Sequence, residues 1–172
     1  EAKQDLLIEL LDKHRDDRAL VFARTKHGAE RLMKHLERVG FAATSIHGNK
    51  SQGQRDRAIS AFKAGPVRVL VATDVAARGL DLPGLDLVIH ADFPRNKEGL
   101  LHRSGRTGRA GRKGVCALIV PVRARRRTER LLQVAGVEAK WNLPPSAADI
   151  ETALIQRILN HEMFDAPPQK SE

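Results

Sequence analysis

The feature that most constrains the fold is a series of five short apolar runs separated by helical segments. The runs occupy residues 19–23, 42–46, 67–72, 87–91 and 115–120. Each has the length of one strand and is mostly apolar, and residues 19–23 are apolar throughout, which is typical of a parallel strand that is covered on both faces. Strands that alternate with helices over short loops predict an α/β fold with a doubly wound parallel sheet.

The segments between the apolar runs carry helix signals. Four leucines between residues 6 and 11 recur at helical spacing and predict a first helix that ends near residue 14. A second helix is expected over residues 26–39, closed by Gly40, and a capping-box pattern at residues 51–54 predicts a third that stops at Gly65. We also expect a helix from about residue 97 and a closing helix over residues 123–135.

The 172 residues fit one domain with a short appendage. We expect residues 1–136 to form the main domain, residues 137–164 to form an extension with an amphipathic helix, and residues 165–172 to be a disordered tail. That helix is expected to pack against the parent domain, with partner binding or a homodimer as the alternative. Because the chain begins at Glu1 without a methionine, we expect a fragment of a longer protein.

The positive charge is concentrated in one segment. Residues 95–130 contain twelve Lys and Arg against two Glu, a net charge of +10, whereas the whole chain carries +9. Such a patch attracts nucleic acid, nucleotide phosphates or an acidic membrane surface. The sequence has neither a run of about 18 apolar residues nor a recognisable signal peptide, so we expect no membrane segment.

Cysteine and histidine usage exclude two further classes of site. Cys116 is the only cysteine, which excludes an internal disulfide and fits a reducing cytoplasm. It lies in an apolar run, where a buried small hydrophobe is expected rather than a reactive thiol. The seven histidines show no ligand spacing, so no metal site is predicted in this chain.

Residues 102–112 read HRSGRTGRAGR, in which arginines and glycines both repeat every three residues. In a helical turn the guanidinium groups at 103, 106 and 109 would project along nearly one edge. The glycines would let another surface come close. A row of planar guanidinium groups suits a polyphosphate, although a solvated basic turn is the alternative when the motif is taken alone.

Polar pairs follow three of the predicted strands. They are Arg24-Thr25, His47-Gly48 and Thr73-Asp74. Ligands of doubly wound sheets bind at the carboxyl ends of the strands, so these pairs indicate a binding edge.

Four segments in the same order resemble the C-terminal RecA-like lobe, or helicase C domain, of DEAD-box ATP-dependent RNA helicases of bacterial type. They read ALVFARTK at 19–26, HGNKSQGQR at 47–55, VLVATDVAARGLD at 69–81 and HRSGRTGR at 102–109. The resemblance implies a RecA-like three-layer fold, with a parallel sheet flanked by helices and a short C-terminal helical extension. It also implies a cytoplasmic protein that acts on RNA.

For ATP, the resemblance implies that Arg106 and Arg109 are arginine fingers that reach the γ-phosphate. It implies that Asp81 contacts the ribose, that Gly79 lets the backbone approach, and that His102 couples the two binding sites. ATP and Mg²⁺ would be bound mainly by the N-terminal RecA-like lobe of the same polypeptide. The sequence contains neither a complete phosphate-binding loop nor the acidic tetrad, so this chain alone is expected to be inactive as an ATPase.

For RNA, the resemblance implies contacts to the sugar-phosphate backbone from Arg24, Thr25, Gly48, Gln52, Arg55, Thr73, Asp74 and Arg78. Such contacts fix the position of a strand without reading its bases. The chain has no Tyr and only 3% aromatic residues, so a stacking platform for bases is not expected. Two positions depart from the family: Asn49 stands where Asp is usual, and Leu100 where an aromatic is common.

The implied function is the C-terminal lobe of an ATP-dependent RNA helicase. A lobe of a DNA helicase shares the fold and the arginine motif, but the run ATDVAARG favours the RNA family. A non-catalytic module that binds RNA or protein is the other alternative.

Overall fold

The computed structural model describes residues 2–14, 17–78, 80, 85–92 and 115–141. Its strands are β1 (Ala19–Phe22), β2 (Ala43–Ile46), β3 (Val69–Ala72), β4 (Leu87–His90) and β5 (Val115–Leu118). They form one sheet in the order β2-β3-β1-β4-β5, and every neighbouring pair is parallel. The predicted α/β fold with a parallel sheet is confirmed.

The helices in this part of the chain connect the strands as expected. They are α1 (Ala2–Lys13), α2 (Lys26–Arg38), α3 (Gln52–Ala64), α4 (Asp74–Ala77) and α5 (Arg125–Ala135), with a 3₁₀ turn over Val122–Ala124 before α5. The helices predicted over residues 26–39, 51–64 and 123–135 are confirmed. The single turn α4 is an addition that the sequence pattern did not predict.

The sheet is covered on both faces. Val21 of β1 packs in a cluster with side chains of α1 and α2, while its neighbour Phe22 packs in a second cluster with Phe62 of α3. All four residues of β1, β3 and β4 are buried. Burying one large apolar side chain contributes about 1.5–3 kcal/mol. The apolar character of these strands is therefore explained by helices on both sides of the sheet.

Local signals end the helices where the sequence predicts. Gly40 follows α2 with φ +95°, its N–H donates to Glu37 O at 3.0 Å, and the N–H of Phe41 donates to Leu36 O at 2.9 Å. This pair of bonds is the Schellman arrangement, which favours glycine because φ is positive. Ser51 and Gln54 form the predicted capping box at the start of α3.

The edge strand β5 differs from the expectation. Cys116 is half-buried rather than buried, and its Sγ lies 3.2 Å from His90 Nε2. Val115 is exposed, because β5 pairs with β4 alone among the strands described. The helix expected from residue 97, the amphipathic helix after residue 146 and the tail over residues 165–172 lie outside the described residues.

Across the ranges given above, no helix is both long and apolar enough to span a membrane.

Gly65 and Gly53 offer a matched test of the positive φ that ends α3. A Cβ added at either position meets no heavy atom within 4 Å, but only Gly65 has a positive φ, at +102°. We expect Gly65→Ala to lower the free energy of unfolding by about 1–2 kcal/mol, because an L side chain disfavours this conformation. Gly53→Ala should raise it by about 0.4–1 kcal/mol. Urea unfolding followed by circular dichroism measures both, and equal effects would contradict the assignment.

Candidate nucleic-acid interface

The carboxyl ends of four neighbouring strands lie in register. Ala72 at the end of β3 pairs with both Ile46 of β2 and Phe22 of β1, and Phe22 also pairs with His90 of β4. Residues that follow these strands therefore share one edge of the sheet. We call this surface the strand-end edge, and it comprises Arg24, Thr25, His47, Gly48, Thr73, Asp74 and Asp92. All three polar pairs singled out from the sequence lie on it.

Asp92 fixes the backbone where β1 leaves the sheet. Its Oδ2 accepts a hydrogen bond from the backbone N–H of Arg24 at 2.7 Å, and its Oδ1 pairs with Lys3 Nζ. Burial raises the pKa of Asp92, but the bonds from Lys3 and Arg24 outweigh burial, and the pKa lies below its usual value. The carboxylate thus holds the main chain of Arg24 while the Arg24 side chain is exposed.

Thr25 begins α2 as its N-cap residue. Its Oγ1 accepts a hydrogen bond from the N–H of Gly28 at 3.0 Å. A Cβ at Gly28 would lie 2.9 Å from that oxygen, so the close approach depends on glycine. The hydroxyl hydrogen of Thr25 remains available to donate, and it lies at the positive end of a helix, where phosphate groups are favoured.

The loop between β2 and α3 presents Gly48 and Gln52 to solvent. No heavy atom lies within 4 Å of a Cβ built at Gly48, so a second molecule can approach the backbone here. Gln52 Nε2 donates to Asp56 Oδ1 at 2.8 Å, which orients the amide at the start of the helix. Both predicted RNA contacts are therefore accessible.

The remaining predicted RNA contacts surround the short helix α4. Thr73 is its N-cap residue, Asp74 lies in its first turn, and Arg78 is exposed at its end. Arg55 of α3 is half-buried and its Nη2 donates to Ala76 O at 3.3 Å. Arg55 therefore joins α3 to α4, a structural contact that accompanies its predicted role.

A polar cluster centred on Glu30 of α2 supports the β2–α3 loop, and the sequence analysis did not predict it. Glu30 Oε2 lies 2.8 Å from His47 Nε2, accepts from Ser45 Oγ at 2.7 Å, and pairs with Lys50 Nζ at 3.4 Å. His47 Nδ1 accepts the backbone N–H of Asn49 at 3.2 Å, so Nε2 carries the hydrogen that is donated to Glu30. The cluster ties α2 to the loop that carries Gly48.

The environment of Glu30 favours its charged form. Burial raises the pKa of Glu30, but the bonds from His47 and Ser45 and the charge of Lys50 more than offset burial and lower the pKa to about 2. No spacing in the sequence signals this cluster, because its members lie on α2, on β2 and in the following loop. Only the pairing of a glutamate on a helix face with a histidine after a strand could have suggested it.

Asn49, which stands where the family usually has Asp, still accepts a hydrogen bond. Lys26 Nζ donates to Asn49 Oδ1 at 3.2 Å. The amide oxygen therefore serves as the acceptor that a carboxylate would provide, as expected from the sequence, and the charge is lost.

The predicted nucleotide-binding residues Gly79, Asp81, His102, Arg106 and Arg109 lie outside the described residues, as does Leu100. Within the part of the chain that the structure describes, no three His, Cys, Asp or Glu side chains are grouped so that they could hold a metal ion. The described interface thus offers exposed guanidinium, hydroxyl, amide and backbone N–H groups. These groups bind phosphate and sugar oxygens.

Comparison with known proteins identifies relatives of this arrangement. The model for the helicase conserved C-terminal domain matches residues 2–111. The DEAD-box ATP-dependent RNA helicase 5 of Arabidopsis thaliana is 53% identical over 117 residues, which are 66% of this chain and 22% of that protein. The chain thus spans less than a quarter of the length of this relative.

Solved structures agree with the sequence matches. A DEAD-box protein from the hyperthermophile Methanococcus jannaschii has a TM-score of 0.73 and 38% identity, over 79% of this chain and 37% of that one. Saccharomyces cerevisiae Dbp5 bound to RNA and ADP BeF3 has a TM-score of 0.74 and 29% identity, over 88% of this chain and 42% of that one. The parallel sheet flanked by helices is therefore RecA-like, as predicted.

Glu30→Gln tests the polar cluster. Since the pKa of Glu30 is depressed to about 2, its charge stabilises the fold above the unfolded pKa near 4.5, and this contribution is lost as pH falls towards 2. We expect the variant to lose about 1–3 kcal/mol of unfolding free energy near pH 7, because His47 and Lys50 lose a charged partner. The difference in unfolding free energy between the variant and the unmodified chain should shrink as the pH falls from about 4.5 towards about 2.

Glu37→Gln is the matched control, since Glu37 lies exposed on the same helix. Thermal unfolding at a series of pH values measures both variants. A Glu30→Gln effect that stays constant from neutral pH into this acid range would contradict the role of the charge.

Proposed function

Because the chain belongs to the DEAD-box RNA helicase family, as its helicase conserved C-terminal domain, we propose that it is the C-terminal lobe of an ATP-dependent RNA helicase. The observation that carries the proposal is the strand-end edge. There the polar residues after β1, β2 and β3 lie side by side, within the segments that carry the family resemblance. The intact protein would be an RNA-stimulated ATPase, whereas this chain by itself would not turn over ATP.

The RNA contacts are proposed for the sugar-phosphate backbone. Arg24 and Arg78 supply exposed guanidinium groups, Thr25 and Thr73 supply hydroxyls, and Gly48 lets a strand approach its backbone. Gln52, Arg55 and Asp74 complete the proposed set. Groups of this kind contact phosphates and ribose hydroxyls and carry no base code, so binding should be independent of sequence. The solved Dbp5 relative, which is bound to RNA and ADP BeF3, supports an RNA site on this fold.

The nucleotide contacts are proposed from the family motifs. Arg106 and Arg109 would donate to the γ-phosphate in the closed protein, Asp81 would accept from the ribose hydroxyls, and Gly79 would let the backbone approach. His102 would couple RNA and ATP binding across the cleft. ATP and Mg²⁺ would be held mainly by the N-terminal RecA-like lobe, which carries the phosphate-binding loop in this family.

Closure of the two lobes is the proposed mechanical step. RNA on the strand-end edge and ATP in the cleft would both favour the closed arrangement, because each contacts both lobes. Closure would bend one RNA strand and part a short duplex, and release of phosphate would reopen the cleft. The guanidinium groups stabilise charge on the transferring phosphoryl group, which is the main catalytic task in such reactions.

Arg109→Ala in the full-length protein tests the arginine finger. We expect RNA-stimulated ATP turnover to fall by about 10³–10⁵, because a finger of this type contributes that much in comparable phosphoryl-transfer enzymes. RNA affinity should stay near that of the unmodified protein. Arg31→Ala, on the exposed face of α2, is the control and should keep full turnover. Unchanged turnover in Arg109→Ala would refute the role.

Arg24→Gln tests the RNA contact at the strand-end edge. The main chain of Arg24 is held by Asp92, so the side chain can change without loss of that bond. We expect RNA affinity to fall about tenfold and the slope of log affinity against log salt to decrease by about 0.7 for a single strand. Fluorescence anisotropy with labelled oligonucleotides of different sequences measures both quantities. The loss should be equal for every sequence, and a loss confined to one sequence would contradict backbone binding.

A further inference from the structure

The helix α5 carries a row of arginines on one face. Arg126, Arg127 and Arg130 of α5 and Arg123 of the preceding 3₁₀ turn follow one another at intervals of three, one and three residues, and all four are exposed. Residues three and four apart are neighbours on a helix surface, so the side chains of Arg126, Arg127 and Arg130 lie on one face of α5, and Arg123 lies in the turn just before it. We call these four residues the arginine stripe.

The buried face of the helix fixes the direction of the stripe. Thr128 and Leu132 are buried, and Thr128 Oγ1 donates to Ala124 O at 2.8 Å. Successive helical positions rotate by about 100°, which puts Thr128 and Leu132 on the side of the helix away from Arg126 and Arg130. The stripe therefore faces solvent because the opposite face is packed.

The acidic residue of the helix is engaged away from the stripe. Glu129 Oε1 lies 3.2 Å from Arg125 Nε, and the Arg125 guanidinium lies 5.0 Å from the centre of the Trp141 ring. Among the residues that the structure describes, no acidic side chain pairs with Arg123, Arg126 or Arg130. Arg123, Arg126 and Arg130 therefore keep their positive charge on the surface.

The composition of the stripe favours phosphate as its partner. Every cation in it is arginine, whose planar fork donates two hydrogen bonds to one phosphate, which the ammonium group of lysine does not do. The stripe spans about 10 Å, and duplex nucleic acid carries one charge per about 1.7 Å of axis, so the phosphates are dense enough for Arg123, Arg126 and Arg130 each to face one.

A membrane surface fits this face less well. Val122 and Val134 are exposed beside the stripe, and Val137 and Trp141 beyond the end of α5 are each 40% exposed. Helices that lie on membranes insert large side chains such as Trp, Phe and Leu below a basic face. Trp141, the large apolar residue nearby, contacts Arg125 instead.

The position of α5 connects the stripe with the edge of the sheet that the proposed function uses. The 3₁₀ turn before α5 begins at Val122, shortly after β5 ends at Leu118. The ends of β4 and β5 are in register, with His90 paired to Leu118. The chain therefore enters α5 from the same side of the sheet as the strand-end edge.

We propose that the arginine stripe of α5 is a second binding surface for the phosphate backbone of RNA, separate from the strand-end edge. This inference rests on the proposed function, because it extends the RNA site of the same lobe. The stripe adds affinity for RNA of any sequence and makes that affinity more sensitive to salt.

The test uses the 172-residue chain and a variant that carries Arg123→Gln, Arg126→Gln and Arg130→Gln. Arg127 is left in place because it has a further contact within the chain. Arg125→Gln is the matched control, since it removes the same charge from the same helix at a position that Glu129 already neutralises. Binding to a labelled single-stranded RNA and to an RNA duplex is measured by fluorescence anisotropy between about 50 and 200 mM salt.

For the triple variant we expect affinity to fall at least about tenfold near the middle of the salt range. The slope of log affinity against log salt should decrease by about 2 for single-stranded RNA or by about 3 for the duplex. The form of RNA whose affinity falls more is the form that the stripe binds. Arg125→Gln should stay within about twofold of the unmodified chain, because Arg125 pairs with Glu129, contacts Trp141 and lies outside the stripe. If the triple variant fails to fold, Arg126→Gln and Arg130→Gln are measured singly, each with about a third of the slope change.

Three outcomes would overturn the inference. If the triple variant keeps the affinity and the slope of the unmodified chain while Arg24→Gln weakens binding, the stripe is not an RNA site and the proposed function stands. If the triple variant loses binding only to vesicles that contain anionic phosphatidylserine, the stripe is a membrane surface instead. If the unmodified chain binds no RNA, the proposed RNA site fails and the inference fails with it.

Discussion

Parallel pairing of strands that are buried on both faces is the constraint on which this structure depends. Buried backbone N–H and C=O groups must find partners, and in the strands they find them in the ladder. Apolar side chains on both faces then require helices on both sides, so each connection crosses the sheet and returns the chain to the same starting edge. Every strand consequently ends at one common edge, where polar residues accumulate.

Local polar contacts turn that common edge into a fixed surface. Asp92 holds the main chain after β1, Thr25 begins α2, and Glu30 holds the loop after β2 through His47. Each contact uses a side chain to satisfy backbone or polar groups that the sheet leaves unpaired at its end. Binding residues on loops are precise only when such contacts support them, because a loop alone has too much conformational freedom.

The two surfaces proposed to bind RNA differ in the way that they present charge. On the strand-end edge, the guanidinium group of Arg24 lies among hydroxyls, carboxylates and exposed backbone, which suits contacts that position a single strand. On α5 the arginines stand in an unbroken row on a helix whose other face is packed. A row of that kind attracts phosphates at longer range and is more strongly screened by salt.

Much of the fold was predictable because its signals are local. Apolar runs, the capping box at residue 51 and the glycine at residue 65 lie within single elements, so their meaning does not depend on the rest of the chain. The short helix α4 was missed because one turn is too short to show a period. The burial of Cys116 was overestimated because an apolar run does not reveal whether its strand lies at the edge of the sheet.

The sequence by itself determined the class of fold, the family and the residue types that end each strand, because periodicity and motifs are properties of neighbours along the chain. Only the tertiary structure decided the order β2-β3-β1-β4-β5, the contact of Glu30 with Ser45 and His47, and the solvent-facing direction of the arginines on α5. These features depend on distances between residues that lie far apart in the chain. Such distances are set by how helices pack on the sheet, and no local pattern records them.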